Sequence, residues 1–587
     1  MGVSCLLRAL PLPLMKPLFA ASLLSLAVSL ASGAPGAATP DFGPHVLIFD
    51  PSMPTAEMQG RIDAVFARQE ANQFGPERVA FFFKPGRYDL DVPVGFYTQV
   101  LGLGRSPDDV SITRAVRAPA NWMRNHNATC NFWRAVENLA VTPTRDENIN
   151  IWAVSQATAL RRVHVRGDIN LWAGGWSSGG FLADCKIDGR INSGTQQQWL
   201  SRNAEWGEWV GGSWNMVFVG VTHPPAGRWP AAAYTVVEQT PIVREKPYLT
   251  LGDDGRYVVM IPDLARTGSA GITWRDRPTP SQAIPLDQFY LAHPDTDTAA
   301  TLNAALDRGQ NLIFTPGIYH LDAALHVTRS GTIVLGLGYA TLVPDRGTPA
   351  MTVADVDGVK LAGLLFEAGP KNSATLLQIG PPHATASHAA DPIFLHDIFA
   401  RAGGATVGVA RCFVTINSRD VVGDNFWLWR ADHGKGAAWD ANKNANGLIV
   451  NGDDVTIYGL FVEHNQEYQT LWNGNGGRVY FYQSEIPYDP PSQAAWMNGP
   501  TRGFASYKVA DTVTTHEAWG LGIYCVFRHS PVILDNAIET PDVPGVKLHH
   551  MVTLRLNPNN GSGIAHVING RGDPVIATKM ARFDEKE

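Results

Sequence analysis

The chain has 587 residues, of which 45% are hydrophobic and only 17% charged, a balance that excludes a disordered chain and allows several ordinary domains or one large β architecture. Its formal charge of −7 becomes −9 once residues 1–38 are set aside, because they carry Arg8 and Lys16 and no acid. An acidic surface argues against nucleic acid as a partner, and more weakly against polyanionic polysaccharides.

The first element is "MKPLFAASLLSLAVSLASGA", which opens at Met15 with Lys16, runs through apolar residues from Leu18 and ends in small residues. This is the pattern of a secretory signal peptide, so residues 1–38 are expected to be removed and the product secreted, extracellular or periplasmic. The apolar run is about 14 residues, too short to cross a bilayer, and no later stretch is long enough, so no membrane association is expected.

A helical pattern at Arg61–Asn72 leads into "FFFKPGRYDLDVPVGFYTQVLGLGR", Phe81 to Arg105. A second helical pattern at Asp297–Gly309 leads into "LIFTPGIYHLDAALHVTRSGTIVLGLGY", Leu312 to Tyr339. Both segments read apolar strand, Pro-Gly, Tyr, Leu-Asp, strand, Leu-Gly-Leu-Gly. Pro85 and Pro316 are 231 apart, Gly102 and Gly336 234 apart. An order shared over this length indicates an internal duplication. The expected organisation is an N-terminal half over 39–242, a connecting segment over 243–284 and a C-terminal half over 285–587.

Within each half, short alternating strands succeed one another, as in "DDVTIYGLFVEH". Long helices between them are missing, which argues against a βαβ sheet, and Asn-Gly hairpin signals are sparse, which argues against a sandwich. Steps of about 20–25 residues suit a right-handed parallel β-helix built of stacked coils. The predicted fold is therefore all-β, with two tandem parallel β-helices packed side by side. At that coil length Glu463 and Glu485, 22 residues apart, become stacked neighbours, and so do Gln156 and Ser178.

Two carboxyl groups beside one bond are what glycoside hydrolysis requires. Glu485 lies in "YFYQSEIPYD" among aromatic residues, and apolar surroundings raise a carboxyl pKa, so it suits a proton donor. Glu463, between Val462 and His464, is expected to stay ionised. Spacing alone equally permits a polar ladder on a solvated face. The 17 tryptophans suggest an aromatic surface on which sugar rings could stack; Trp472, Trp427 and Trp496 are candidate glucose platforms or core residues, and Asp424, read as a loop acid, is a candidate partner for sugar hydroxyls. His464 reads as a structural histidine.

The phrases "GLFVEHNQEYQTLWNGNGGRVYFYQSEIPYDPP" and "KVADTVTTHEAWGLGIYCVF", with "WAVSQATALRRVHVRG", "GGWSSGGFLADCKIDG" and "QQQWLSRN" in the first half, resemble glycoside hydrolase family 55, the β-1,3-glucanases. The resemblance spans nearly the whole mature chain. It implies two β-helices joined along a cleft and hydrolysis of β-1,3-glucan with inversion, mostly from the non-reducing end. By matching position, the general acid falls on Glu485 and the second glutamate on Glu463. Gln156, with Ser178 nearby, would hold the attacking water together with Glu463. Tyr488 matches a sugar-contacting tyrosine, Gln198 lies in a matching phrase and is expected to contact substrate, and Trp176 stands where the family has tyrosine.

Two other readings are a β-helical polysaccharide lyase and a non-catalytic carbohydrate-binding adhesin. The sequence has no clustered acidic set with an adjacent basic pair, which a calcium-dependent lyase would need. It also has no Cys/His metal spacing, so no metal and no cofactor are expected. Of the mature chain's cysteines, Cys130, Cys185, Cys412 and Cys525 could pair within each half or stay as free thiols. The expected partner is a β-1,3-glucan polysaccharide or oligosaccharide, and a monomer is expected.

Overall fold

The structure is a computed structural model that describes residues 40–275, 281–556 and 560–586. The proposed signal peptide lies outside these residues. Among the described residues no helix is long and apolar enough to cross a membrane.

Nearly every strand pairs in parallel with the strand one coil away. In the first half one path runs through Val46–Phe49, Val79–Phe83, Thr98–Gly102, Arg134–Pro143, Thr158–Val165, Phe181–Ala183, Gln198–Arg202, Asn215–Val219 and Tyr234–Val237. In the second half a main sheet runs from Phe289–Ala292 to Val546–Arg555, closed by the antiparallel strand Met580–Lys586. A second parallel sheet there runs from Leu325–Val327 to Gly563–Ile568. Between the halves the connecting segment forms an antiparallel sheet of Tyr248–Leu251, Tyr257–Pro262 and Ser281–Pro285. This is the all-β tandem β-helix predicted from the sequence. In each half a short helix, Thr55–Gln69 or Ala299–Asp307, follows the first strand, and its apolar stripe (Met58, Ile62 and Val65; Leu302 and Leu306) is buried against the first coils.

The duplicated phrase has the same job in both copies. Tyr88 donates its hydroxyl to the carbonyls of Lys84 (2.7 Å) and Phe49, and Tyr319 donates to those of Thr315 (2.9 Å) and Ala292. Each tyrosine ties the Pro-Gly turn to the end of the preceding coil. The first glycine of each Leu-Gly-Leu-Gly is explained by approach of the next coil. A Cβ on Gly102 would stand 2.0 Å from the Asn138 carbonyl oxygen, and one on Gly336 2.3 Å from that of Gly363. Only a residue without a side chain fits there.

The uniform step expected from the sequence holds only locally. Thr456 pairs with Arg478 and Leu160 with Leu182, both 22 residues on, but Val422 pairs with Thr456 and Arg478 with Glu517, 34 and 39 residues on. The extra residues form loops at coil corners, and two of those loops reach the site described next.

The halves join through a shared aromatic core. Trp133 of the first half packs on Trp427 of the second with ring centroids 4.8 Å apart, and Trp427 stacks on Trp429 at 4.7 Å. Phe132, Phe181, Phe399, Phe461 and Phe481 complete the cluster.

Candidate active site

Glu463 ends the strand Thr456–Glu463, Glu485 ends Gly477–Glu485, and the two are direct register partners. Parallel neighbours sit one strand spacing apart, about 4.8 Å, so the two carboxyl groups leave adjacent coils on one face. Backbone direction changes immediately afterwards, with His464 at φ +64°. The strand ends thus deliver both carboxyls to the rim of a cavity of about 330 Å³ between the halves. Gln156 and Ser178 line it from the first half, and Tyr488, Asp432, His433, His464 and Arg528 from the second.

Glu463 is buried and held at both oxygens. Gln156 donates Nε2–H to Oε1 at 2.8 Å, a bond that crosses between the halves, and Trp427 donates Nε1–H to Oε2 at 2.9 Å. Two opposing effects act on Glu463, expected from the sequence to stay ionised. Burial raises it to about 8, while the Trp427 and Gln156 donors pull the other way. Glu485 is also raised well above the usual carboxylate range: burial is the first cause, and the charges of Glu463 and Asp432 add to it. The two donors fixed on Glu463 favour its ionised form, and a charge there favours a proton on Glu485. The Tyr488 hydroxyl donates to Glu485 Oε2, which makes Tyr488 a support for this carboxyl as well as part of the cavity wall.

Asp432 and His433 also line this cavity, and sequence reasoning missed them. They stand just beyond the strand Val421–Arg430, in one of the long corners. Asp432 accepts from His433 Nδ1–H at 2.7 Å and from Arg528 at 2.7 Å. Burial opposes its ionisation, but the His433 hydrogen bond and the neighbouring positive charges win and hold it well below the usual range. Burial likewise opposes protonation of His433, but hydrogen bonds to Asp432 and Cys130 bring it up to about 10. His464 is held neutral, pushed down to about 4 mainly by burial, and its Nδ1–H donates to the Ile486 carbonyl at 3.2 Å. Its Nε2 lies 3.8 Å from Glu485 and 3.9 Å from Asp432. The signal in the sequence is an acid next to an imidazole in "WRADHG", just beyond the strand that carries Asp424.

Several expected sugar contacts are corrected. Trp472 and Trp496 are buried in the core of the second β-helix, and the Nε1–H of Trp496 donates to a backbone carbonyl. Trp427 lies wholly in the inter-half core, where it positions Glu463 and presents no face to a sugar. Asp424 belongs to the strand Val421–Arg430, is 2% exposed and is bound by Arg161 and Arg202, so no hydroxyl of a substrate can reach it. Gln198 is fully buried beneath Ser178 and donates to its Oγ at 3.4 Å. Trp176 is different: it is 53% exposed, two residues from Ser178. All four described cysteines are free; three are buried and Cys130 borders the cavity. No cluster of metal-ligating side chains is found among the described residues.

The charge on Asp432 can be tested through pH. Because ionised Asp432 raises Glu485, Asp432→Asn should let Glu485 lose its proton at lower pH. The alkaline limb of the kcat profile should then shift to lower pH, and an unchanged limb would show that Asp432 does not tune the acid.

Residues 289–485 match the LAM55 pectate lyase-like domain. The chain is 48% identical over 541 residues to an exo-beta-1,3-glucanase from Streptomyces sp. (strain SirexAA-E / ActE), covering 91% of this chain and 87% of the relative. The solved structure of sacteLam55A from the same Streptomyces superposes with a TM-score of 0.90 at 46% identity, covering 93% of this chain and 99% of that one. A glutamate-to-alanine variant of sacteLam55A in complex with glucose gives the same score and identity, over 94% and 99% of the two chains. With both halves covered by these relatives, the chain belongs to glycoside hydrolase family 55, the β-1,3-glucanases.

Proposed function

We propose that this protein is an exo-acting β-1,3-glucanase that releases glucose with inversion at the anomeric carbon. The observation that carries the reading is the pair Glu463 and Glu485 on neighbouring strands at the inter-half cavity, with their environments divided. Glu485, kept protonated by burial and by nearby negative charge, donates to the leaving glycosidic oxygen. A water held by Glu463, Gln156 and Ser178 attacks the opposite face and gives up its proton to the Glu463 carboxylate. The amide of Gln156 is anchored through its NH2 group on Glu463, which leaves its carbonyl oxygen as an acceptor for that water. Trp176 offers an exposed ring for the glucan beyond the cleaved bond. The sugar relatives' names support the substrate class, and the leader-like residues 15–38 support export.

Proton NMR during hydrolysis of laminari-oligosaccharides tests both parts. Glucose should appear first as the α-anomer and as the main early product. Initial β-glucose would overturn inversion, and early release of mixed oligosaccharides would overturn exo action. Unsaturated products would indicate a lyase, and binding without turnover an adhesin.

A further inference from the structure

A second cavity, of about 610 Å³, lies away from the two glutamates, where the connecting segment meets the second β-helix. Arg244, Arg266, Arg329 and Lys360 line it, against a single lining acid, Asp391. This is unexpected for a chain whose mature charge is negative. Most of these cations are also bound to neutral groups. Arg266 donates to the carbonyls of Ala389 and Ala390, Arg329 to the carbonyl of Gly309 at 2.7 Å, and Lys360 to the carbonyl of Gly358. Of the four, Arg244 has the described carboxylate partner, Asp391 at 2.8 Å. Hydrogen bonds to carbonyls satisfy N–H donors but leave the positive charge uncompensated, and collected charge of one sign in a concave site attracts the opposite sign.

Lys360 shows that the site is built into the fold. It is 5% exposed, projects from the strand Lys360–Glu367 and cannot swing out to water as a surface lysine would. Burial, with the charge of Arg244, lowers it to about 8, and Asp391 only partly offsets this. Asp263 lies close enough to Arg244 to act on its charge, so the facing groups are four cations and two acids. Arg266 and Arg329 are exposed, one from the connecting segment and one from the second β-helix. Planar guanidinium groups bind oxyanions through paired N–H donors, and an ammonium adds a point charge.

We propose that this cavity binds a small polyvalent oxyanion, a phosphate or sulfate group either free or carried on a small polar molecule, and clamps the connecting segment to the second β-helix. The volume falls in the ordinary range for small-ligand sites, so it leaves space for a body the size of a sugar beside the anionic group.

The test uses the full-length protein with inorganic phosphate, inorganic sulfate and a hexose phosphate as probes. Calorimetric titration and thermal unfolding are run at one ionic strength, balanced with chloride to remove general screening. Saturable binding and a rise in Tm are expected with at least one probe. Arg329→Gln, an exposed change that should not disturb folding, should weaken that binding tenfold or more, and Arg266→Gln should do the same. Laminarin hydrolysis by both variants should stay at the parent rate, which serves as the check on folding. Tighter binding of the hexose phosphate than of phosphate would assign the ligand as a carried group, and equal binding as the free anion. Absence of saturable binding, or equal binding by parent and both variants, would overturn the proposal.

Discussion

Glu485→Gln should release glucose from laminarin about 10²–10⁴-fold more slowly, the usual cost of losing a general acid. Gln has the shape of Glu and can keep a contact with the Tyr488 hydroxyl, but it has no proton to give to the leaving oxygen. The structure makes this loss severe. Burial, Glu463 and Asp432 all act to retain a proton on Glu485, so the surroundings are organised for that one transfer. Binding should survive, because the cavity wall from Gln156 to Arg528 is unchanged. A synthetic glucoside with an acidic leaving group needs little protonation, so its loss should be much smaller. Glu463→Gln should instead slow both substrates alike, since water attack is common to both. Parallel rate measurements on the two substrates decide the matter. Equal losses for Glu485→Gln would remove it as the acid, and near-normal glucose release would remove the whole assignment.

How far such a site can be read from sequence depends on which face of a coil is covered. The stacking of Glu463 on Glu485 was legible because both strands carry alternating residues and the step between them has no inserted loop. Gln156 and Ser178 were legible through the same 22-residue step in the other half. Trp427, taken as a possible platform, and Asp424, taken as a loop acid, both sit on the strand Val421–Arg430 and face the other half. Alternation says which side chains point out of a β-helix, and both do, but it does not say that a second β-helix covers that side. There, an outward tryptophan becomes core and an outward aspartate becomes part of a buried ion network. Asp432, His433 and Arg528 were missed because they ride on corners of unequal length, where no period carries information. Trp472 fell on an inward position of a three-residue strand, too short for alternation to place it.

The buried ions between the halves predict the largest effect on stability. Asp424 accepts from Arg161 at 2.7 Å and from Arg202 at 2.9 and 3.0 Å. Arg161 also binds Asp397, which accepts from Lys246 at 3.0 Å, and Arg202 also binds Glu245 at 2.6 and 2.8 Å. Arg161 and Arg202 come from the first β-helix, Asp397 and Asp424 from the second, Glu245 and Lys246 from the connecting segment. All are buried, so each charge depends on its partners rather than on water. Asp424→Asn takes from Arg161 and Arg202 the carboxylate that they share, and breaking a buried pair from one side costs about 3–5 kcal/mol. The midpoint of chemical unfolding should fall accordingly. The pH dependence should change as well. Burial opposes ionisation of Asp424, but Arg202 and Arg161 outweigh it and lower its pKa on folding. A lowered pKa means that its contribution is present above the unfolded value of 3.8 and is lost as pH falls below it. The variant should therefore lose less stability than the parent on acidification below that point. Catalysis should weaken too, because the bond from Gln156 to Glu463 spans the joint that these ions hold, and Trp427 is three residues from Asp424 on the same strand. Unfolding curves at neutral and acid pH, with laminarin hydrolysis on the same samples, test the chain of cause. A variant of parental stability would show that the aromatic core alone holds the halves together, and a destabilised variant with parental kcat would show that the water-holding geometry does not depend on the ions.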